Sequence, residues 1–508
     1  MATLALYGDR LRLEEIERVA RGGDVRVELA HEARARVEAA RAVVDAAVAE
    51  ERVVYGLTTG FGALAEVVIP RERITELQEN LIRSHAAGVG EPLPEAEVRA
   101  IMLLRANVLA LGHSGIRPHV LERILDLLNH GIHPVVPSRG SVGASGDLAP
   151  LSHIALALMG EGEVTVAGER VAATEAFRRA GLEPVRLAAK EGLALNNGTQ
   201  AMTGVGALAL LAAERAVATA DVAGSMSLEA LKGTPDAFDE LIQRARPQPG
   251  QAESAARLRA LLAGSEIRES HREGDPRVQD AYSLRCMPQV HGAARQAFAY
   301  ARQVLEVEAN SATDNPLIFP GVGPGPGRII SGGNFHGQPV AQVMDLVAMA
   351  CADLAAISER RLARLIDTAL SGLPAFLTPD PGTNSGFMIP QIAAASLVNE
   401  IKLLATPASV DSIPTDANKE DHVSMGMTAA RQARDAVGLL ETVLALELLA
   451  AAQGLEFLRP LAPGRGVAAA RDRIREQVPP LERDRVMTGD IAAVETMVRA
   501  GEFAGEVA

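Results

Sequence analysis

The sequence predicts a mainly α protein: a core bundle of long helices, with a smaller N-terminal region carrying the loops of a candidate active site. From Val340 to Ile366, residues Val343, Val347, Ala350, Leu354 and Ile357 recur at alternating spacings of four and three, the seam by which one helix packs along another. From Met427 to Leu458 the chain is rich in Ala, Leu and Glu, lacks proline, and has only Gly438 and Gly454 to weaken a helix. Strand signals are few and short, so they read as appendages to a helical core.

In chain order, residues 1–112 read as an N-terminal helical region closed by turn formers near Gly112 and Pro118. Residues 113–508 read as the central long-helix bundle with C-terminal helices. Within them, Glu163 to Val171 has the pattern of a small hairpin and Arg328 to Ile330 that of one further strand. The Pro/Gly stretch Pro320 to Gly327 and the segment Pro374 to Pro381 read as surface loops, Pro479-Pro480 punctuates the C-terminal tail, and no internal repeat is found.

A chain of 508 residues with 48% hydrophobic and 22% charged residues can bury a large core and has no bias toward disorder. The net charge of −14, with Lys and Arg scattered among acids, argues against a nucleic-acid partner. Two cysteines, Cys286 and Cys351, are too few for a disulfide framework and fit a reducing cytoplasm. The N-terminus has no signal-peptide pattern. Apolar stretches such as Ala201–Ala213 and Leu346–Ala352 are interrupted by Glu214 and Asp353, so no membrane span is expected. His130 and His133 stand three apart, but no HExxH, cysteine cluster or calcium loop accompanies them, so no metal is expected. Nor is there a phosphate-binding loop, since prolines among the glycines at 321–327 remove the amides a phosphate needs.

The chemistry centres on Ala144-Ser145-Gly146, within Pro137-Ser-Arg-Gly-Ser-Val-Gly-Ala-Ser-Gly-Asp-Leu-Ala-Pro-Leu-Ser-His153. Taken alone, the tripeptide reads as a glycine-rich loop before a helix, with Ser145 or Asp147 as N-cap and Pro150 in the first turn. Its residue types also suit backbone cyclisation. The Gly146 nitrogen can attack the Ala144 carbonyl carbon, and dehydration leaves a five-membered ring with an exocyclic methylidene from Ser145. Glycine permits the contortion, alanine leaves room, and serine supplies the hydroxyl that is lost.

The motifs around it decide between these readings. Tyr55-Gly-Leu-Thr-Thr-Gly-Phe-Gly62, Ser84-His-Ala-Ala-Gly-Val-Gly90, Gly143 to Pro150 and Lys190-Glu-Gly-Leu-Ala-Leu-Asn-Asn-Gly-Thr-Gln200 come in order. Gln279-Asp-Ala-Tyr-Ser-Leu-Arg285, Thr313-Asp-Asn-Pro316, Ser331-Gly-Gly-Asn-Phe-His336 and Asn418-Lys-Glu-Asp-His422 follow. Over nearly its whole length the sequence resembles the histidine and phenylalanine ammonia-lyase family, whose electrophile is a 4-methylideneimidazole-5-one group. The resemblance implies that this group forms autocatalytically from Ala144-Ser145-Gly146, with no external cofactor, in a homotetramer whose sites draw residues from several subunits.

It also implies roles. The substrate amine adds to the methylidene and Tyr55 takes the β-proton, with Tyr282 in the same pocket. A base alone is inadequate: a proton about ten pKa units beyond its base leaves a deficit of about 14 kcal/mol, against about 3–5 kcal/mol from general-base help. A tyrosine acting as base requires its pKa, near 10 when unperturbed, to be lowered by its neighbours. The Arg285 guanidinium matches the substrate carboxylate. Asn197 and Gln279 can donate to the ring oxygen or hold the amine, and Phe335 packs beside the substrate. His85 and Glu420 go with histidine in the resembling family, because an imidazole offers a donor and an acceptor that an apolar ring lacks.

The implied reaction is non-oxidative elimination of ammonia from L-histidine to urocanate. A phenylalanine or tyrosine ammonia-lyase, a 2,3-aminomutase and a non-catalytic relative are the alternatives. Four positions depart from the family pattern: Asn196 replaces an apolar residue, Lys419 a common Gln, and Gly337-Gln338 an Ala-Glu pair.

Overall fold

The computed structural model describes residues 2–23, 25–323 and 325–505, most of them helical. Two compact units emerge: Met1–Leu208, Arg302–Met344 and Pro407–Arg431 form the first, and Ala209–Ala301, Asp345–Thr406 and Gln432–Ala508 the second.

In the first unit, strand Ala2–Leu6 pairs in parallel with Val25–Leu29. The His31–Ala49 helix follows, burying Ala33, Val37, Ala40 and Val44 along one stripe. That stripe joins a core cluster with Leu57, Ile74 and Ile318. The Glu95–Ala110 helix is buried almost all round, Arg105 included. Pro118 opens the next helix, Pro118–Asn129, in the first turn, where a missing N–H costs nothing.

The expected hairpin is present as Glu163–Val166 against Glu169–Ala172. The expected strand near 328 is Gly327–Ile330, paired with Leu317–Pro320. Pro324, in the connecting stretch, lies outside the described residues. Strands Ala2–Leu6, Val25–Leu29, Val89–Pro92, Ile132–Pro134 and Pro137–Arg139 were not foreseen. Three to five residues carry too little alternation to distinguish them from loop.

The two expected long helices run over Gln338–Ile366 and Gly426–Glu456. Within the second unit, polar groups on four long helices interlock. Glu447 accepts hydrogen bonds from Ser227 (2.7 Å), Ser358 (2.6 Å) and both Nε and Nη2 of Arg361 (2.5 and 2.8 Å). Asp221 meets His291 at 2.8 Å and Arg295 at 2.5 Å. Arg361 and Glu447 are fully buried, so their pairing offsets desolvation that neither could bear alone.

Two expectations are corrected. Helices Gln200–Ala230 and Gln338–Ile366 run through Glu214 and Asp353, and each holds an 18-residue window apolar enough to cross a membrane. A single charge on one face does not end a helix. The windows are 78% and 67% buried in the protein, which marks them as core helices. The segment 374–381 is also not wholly at the surface, because Leu377 and Thr378 are buried.

Replacing Glu447 by Ala leaves Arg361 buried without its carboxylate. The expected loss of stability is about 3–5 kcal/mol, read as a lower midpoint in chemical denaturation.

Candidate active site

The loop 141–147 joins strand Pro137–Arg139 to helix Leu148–Leu158. Gly143 and Gly146 take left-handed φ values of 66° and 73°, which glycine adopts without strain. A Cβ on Gly146 would run into the Gly198 backbone, with which Gly146 forms a parallel bridge. The Asp147 N–H then donates to the Gly198 carbonyl at 2.7 Å.

Asp147 occupies the N-cap position of helix Leu148–Leu158, but its carboxylate does not cap that helix. It accepts instead from the Ser141 hydroxyl (2.7 Å) and from the Met202 N–H (2.8 Å), in the first turn of helix Gln200–Ala230. Burial pushes its pKa up to about 6, against the opposing pull of these hydrogen bonds. The Val142 carbonyl accepts from Met425 N–H at 2.8 Å. The Gly143 carbonyl accepts from the Ser424 hydroxyl at 2.8 Å and the Gly337 N–H at 3.2 Å. Four helices, beginning at Leu148, Gln200, Gln338 and Gly426, thus start at this loop, with the partial positive charge of their N-termini nearby.

Ser145 is held from two sides. Its hydroxyl donates to Glu420 Oε1 at 2.6 Å, and its carbonyl accepts from Asn197 Nδ2 at 2.8 Å. The other Glu420 oxygen accepts from the Thr415 hydroxyl at 2.6 Å. Asn197 is itself fixed by buried Arg105, which donates to its carbonyl at 2.9 Å and also reaches the carbonyl of Ala194. Lys190 and Asp314, both fully buried, pair at 2.8 Å.

These groups border a cavity of about 1050 Å³. Ala144, Ser145 and Asn197 line it, together with Tyr55, His85, Phe335 and Glu420. Tyr55 sits on an irregular loop before helix Ile74–His85, and its hydroxyl accepts from the Gly62 N–H at 3.2 Å. Its pKa is raised, first by burial and then by the charges of Asp416 and Glu420. Within this chain, the lowering that a tyrosine base requires is therefore not found. The His85 pKa is lowered, chiefly by burial, which favours the neutral ring at pH 7. A neutral imidazole has one donor and one acceptor.

Gln279, Tyr282 and Arg285 do not line this cavity. They belong to the second unit, where Tyr282 is 71% exposed and the Arg285 guanidinium lies 4.5 Å from the centre of its ring. Conversely, the cavity includes Asp416, Asp421, His336 and His422, to which the sequence reading gave no role. The rings of His336 and His422 stack with centroids 5.8 Å apart. Asp416 stands two residues before the Asn418–His422 motif, and no spacing rule singles it out. Among the described residues, no group of three or more His, Cys, Asp or Glu side chains could hold a metal.

A mainly helical protein that gathers a tyrosine, an imidazole, a carboxylate and an amide around one serine-bearing loop has the equipment of a lyase acting on amino acids. The aromatic amino acid lyase family matches residues 11–476. A histidine ammonia-lyase of Anaeromyxobacter dehalogenans is 58% identical, over 99% of both chains. One of Myxococcus xanthus is 55% identical, over 99% of this chain and 98% of that relative. Among solved structures, the histidine ammonia-lyase of Trypanosoma cruzi is 44% identical with a TM-score of 0.92, covering 99% of this chain and 94% of its own. The tyrosine aminomutase of Streptomyces globisporus is 39% identical with a TM-score of 0.93, covering 99% and 98%. The chain belongs to the aromatic amino acid lyase family and is a carbon–nitrogen lyase.

Asp147 gives the fold a pH dependence of definite sign. Its folded carboxyl keeps its proton to about pH 6, whereas its ordinary pKa is 3.8. The folded state therefore binds more protons between those values, and stability falls as pH rises through them. Relative to Asp147→Asn, the wild-type protein is expected to lose about 2 kcal/mol between about pH 4 and about pH 7, measured by urea denaturation.

Proposed function

We propose that this protein eliminates ammonia from L-histidine to give urocanate, as a histidine ammonia-lyase of histidine catabolism. The observation that carries the reading is Glu420. Its carboxylate lies 2.6 Å from the Ser145 hydroxyl, in the cavity that His85 and Tyr55 also line. A carboxylate and a neutral imidazole can pair with both nitrogens of a substrate imidazole. A phenyl ring would leave those groups unmatched, at about 1–3 kcal/mol each. The names of the relatives that share half or more of the sequence support the same substrate.

The residues fit a 4-methylideneimidazole-5-one group made from Ala144-Ser145-Gly146. Gly146 has no room for a Cβ, and Asn197 already donates to the Ser145 carbonyl, which becomes the ring oxygen. Closing the bond from Gly146 nitrogen to the Ala144 carbonyl carbon expels one water, and loss of the Ser145 hydroxyl expels a second. When formed, the group supplies an electrophilic carbon for the substrate amine. Asn197 holds its oxygen, Tyr55 takes the β-proton, His85 and Glu420 orient the imidazole, and Phe335 packs beside it.

The carboxylate end needs Arg285, with Gln279 and Tyr282 beside the reacting centre. We infer that another subunit of a homotetramer brings them. That none of them lines the cavity supports this, as do Ile389, Ile392 and Leu403, exposed on the Met388–Leu404 helix. Cys286 and Cys351 form no disulfide, in keeping with a cytoplasmic enzyme.

The test is incubation of the purified protein with L-histidine, L-phenylalanine or L-tyrosine, following ammonia and the unsaturated acid. Urocanate from histidine is expected, and turnover of an aromatic substrate alone would overturn the assignment. Ser145→Ala is expected to abolish turnover with an unchanged far-UV circular dichroism spectrum. Full activity in that variant would rule out the electrophile.

A further inference from the structure

We propose that Asp416 is a positioning residue, a latch that ties the Tyr55 loop to the turn presenting Glu420. The inference rests on the reading of Tyr55 as the group that takes the substrate proton.

The Asp416 carboxylate accepts from the Ala63 N–H, at 3.1 and 3.3 Å to its two oxygens. A Cβ built on Gly62 would run into that carboxylate. Gly62 has a left-handed φ of 52°, and its own N–H donates to the Tyr55 hydroxyl at 3.2 Å. Adjacent amides thus serve two side chains: residue 63 is held by Asp416, and residue 62 holds Tyr55. No larger residue fits at 62 while both contacts are kept.

The turn behind Asp416 is built to hold it there. Asp416, Ala417 and Asn418 have φ values of 46°, 50° and 66°, a run of left-handed residues with no glycine among them. Such residues are individually uncommon, and a run of them persists where surrounding contacts enforce it. Here the contacts are the Thr415–Glu420 backbone pair, at 2.9 and 3.3 Å, and the Lys419 N–H on the Asp416 carbonyl at 2.9 Å. The same pairing places Glu420 against Thr415 and Ser145. One turn therefore presents a carboxylate toward Ser145 and another toward the loop that carries Tyr55.

Asp416 also acts on Tyr55 through charge. Asp416 and Glu420 both favour its protonated form. The other titratable or charged groups facing the cavity are His85, Lys419, Asp421, His336 and His422.

The test compares wild type, Asp416→Ala, Asp416→Asn and Gly62→Ala by hydrogen exchange over residues 60–67 and by steady-state kinetics with L-histidine. In Asp416→Ala and Gly62→Ala the expected exchange is about tenfold faster or more, because the amide opens more often. Their kcat is expected to fall about 100-fold, the scale of a misplaced reacting group, with KM changing much less. Asp416→Asn keeps an oxygen for the Ala63 N–H and removes the charge. It is expected to retain wild-type exchange and most of kcat, with the rising limb of the kcat–pH profile moved to lower pH. Wild-type exchange in Asp416→Ala overturns the latch, and so does an Asn variant as impaired as the Ala variant. If wild type itself fails to turn over histidine, the reading of the site fails while exchange still decides the latch.

Discussion

The candidate site depends on a close approach of two backbones, at Gly146 and Gly198. Neither position tolerates a Cβ: at 146 it would strike the Gly198 backbone, and at 198 it would strike Gln200, Arg105 and Thr313. Because the chains meet there, Asn197 lies beside Ser145 and the Asp147 N–H can use the Gly198 carbonyl. A wider separation would move the amide off the Ser145 carbonyl and break the Asp147 contacts that join two helix starts. The carbonyls of Val142, Gly143 and Ser145 accept from donors at or just before helix N-termini, so the ring proposed for this loop would meet positive dipole ends already in place. Little reorganisation is left for the moment of reaction.

That approach is held from behind by charges buried at a cost. Arg105 and Lys190 are fully enclosed, and burial lowers the pKa of both, Arg105 to about 10. Lys190 has Asp314 as its partner. Arg105 is satisfied mainly by the carbonyls of Ala194 and Asn197 and by Gln200, which in turn donates to Thr313 at 2.7 Å. Apolar residues could fill this space with less desolvation, but they could not orient carbonyl groups. The second unit repeats the arrangement with Arg361 and Glu447, where interlocked polar groups fix how four helices lie together.

Two of the long helices were legible, Gln338–Ile366 from its periodicity and Gly426–Glu456 from its composition and lack of proline, and their ends agree with the sequence reading to within two residues, whereas Gln200–Ala230 was cut short at Glu214. The local hairpin Glu163–Ala172 and the strand Gly327–Ile330 were legible too, but strands such as Ala2–Leu6 and Val89–Pro92 were not, since pairing partners distant in sequence decide them. The serine-bearing loop and the motifs with Tyr55, His85 and Glu420 could be read because each packs its chemistry into a few neighbouring residues. Asp416 could not, because its importance comes from Ala63, more than three hundred residues away. Asp147 shows the same limit: its position gave the cap, and only tertiary contact with Met202 redirected its carboxylate. The direction of the Tyr55 pKa was also invisible, for it is set by burial and by carboxylates that folding brings near.

The raised proton affinity of Tyr55 bears on how the site is completed. Among the described residues lining the cavity of one chain, Asp416, Glu420 and Asp421 are accompanied by a single fixed cation, Lys419. This excess of negative charge suits a substrate amine and an imidazole, and disfavours both a substrate carboxylate and a tyrosinate. In the proposed assembly, Arg285 answers both difficulties, since one guanidinium can pair with the substrate acid and make the surroundings of Tyr55 less negative. On that proposal, assembly would do more than cover the exposed Ile389, Ile392 and Leu403: it would bring Tyr55 toward the charge balance a base requires. On the same proposal, an isolated chain would keep the half of the site assigned to the imidazole and lack the cation that offsets the raising of the Tyr55 pKa by burial, Asp416 and Glu420.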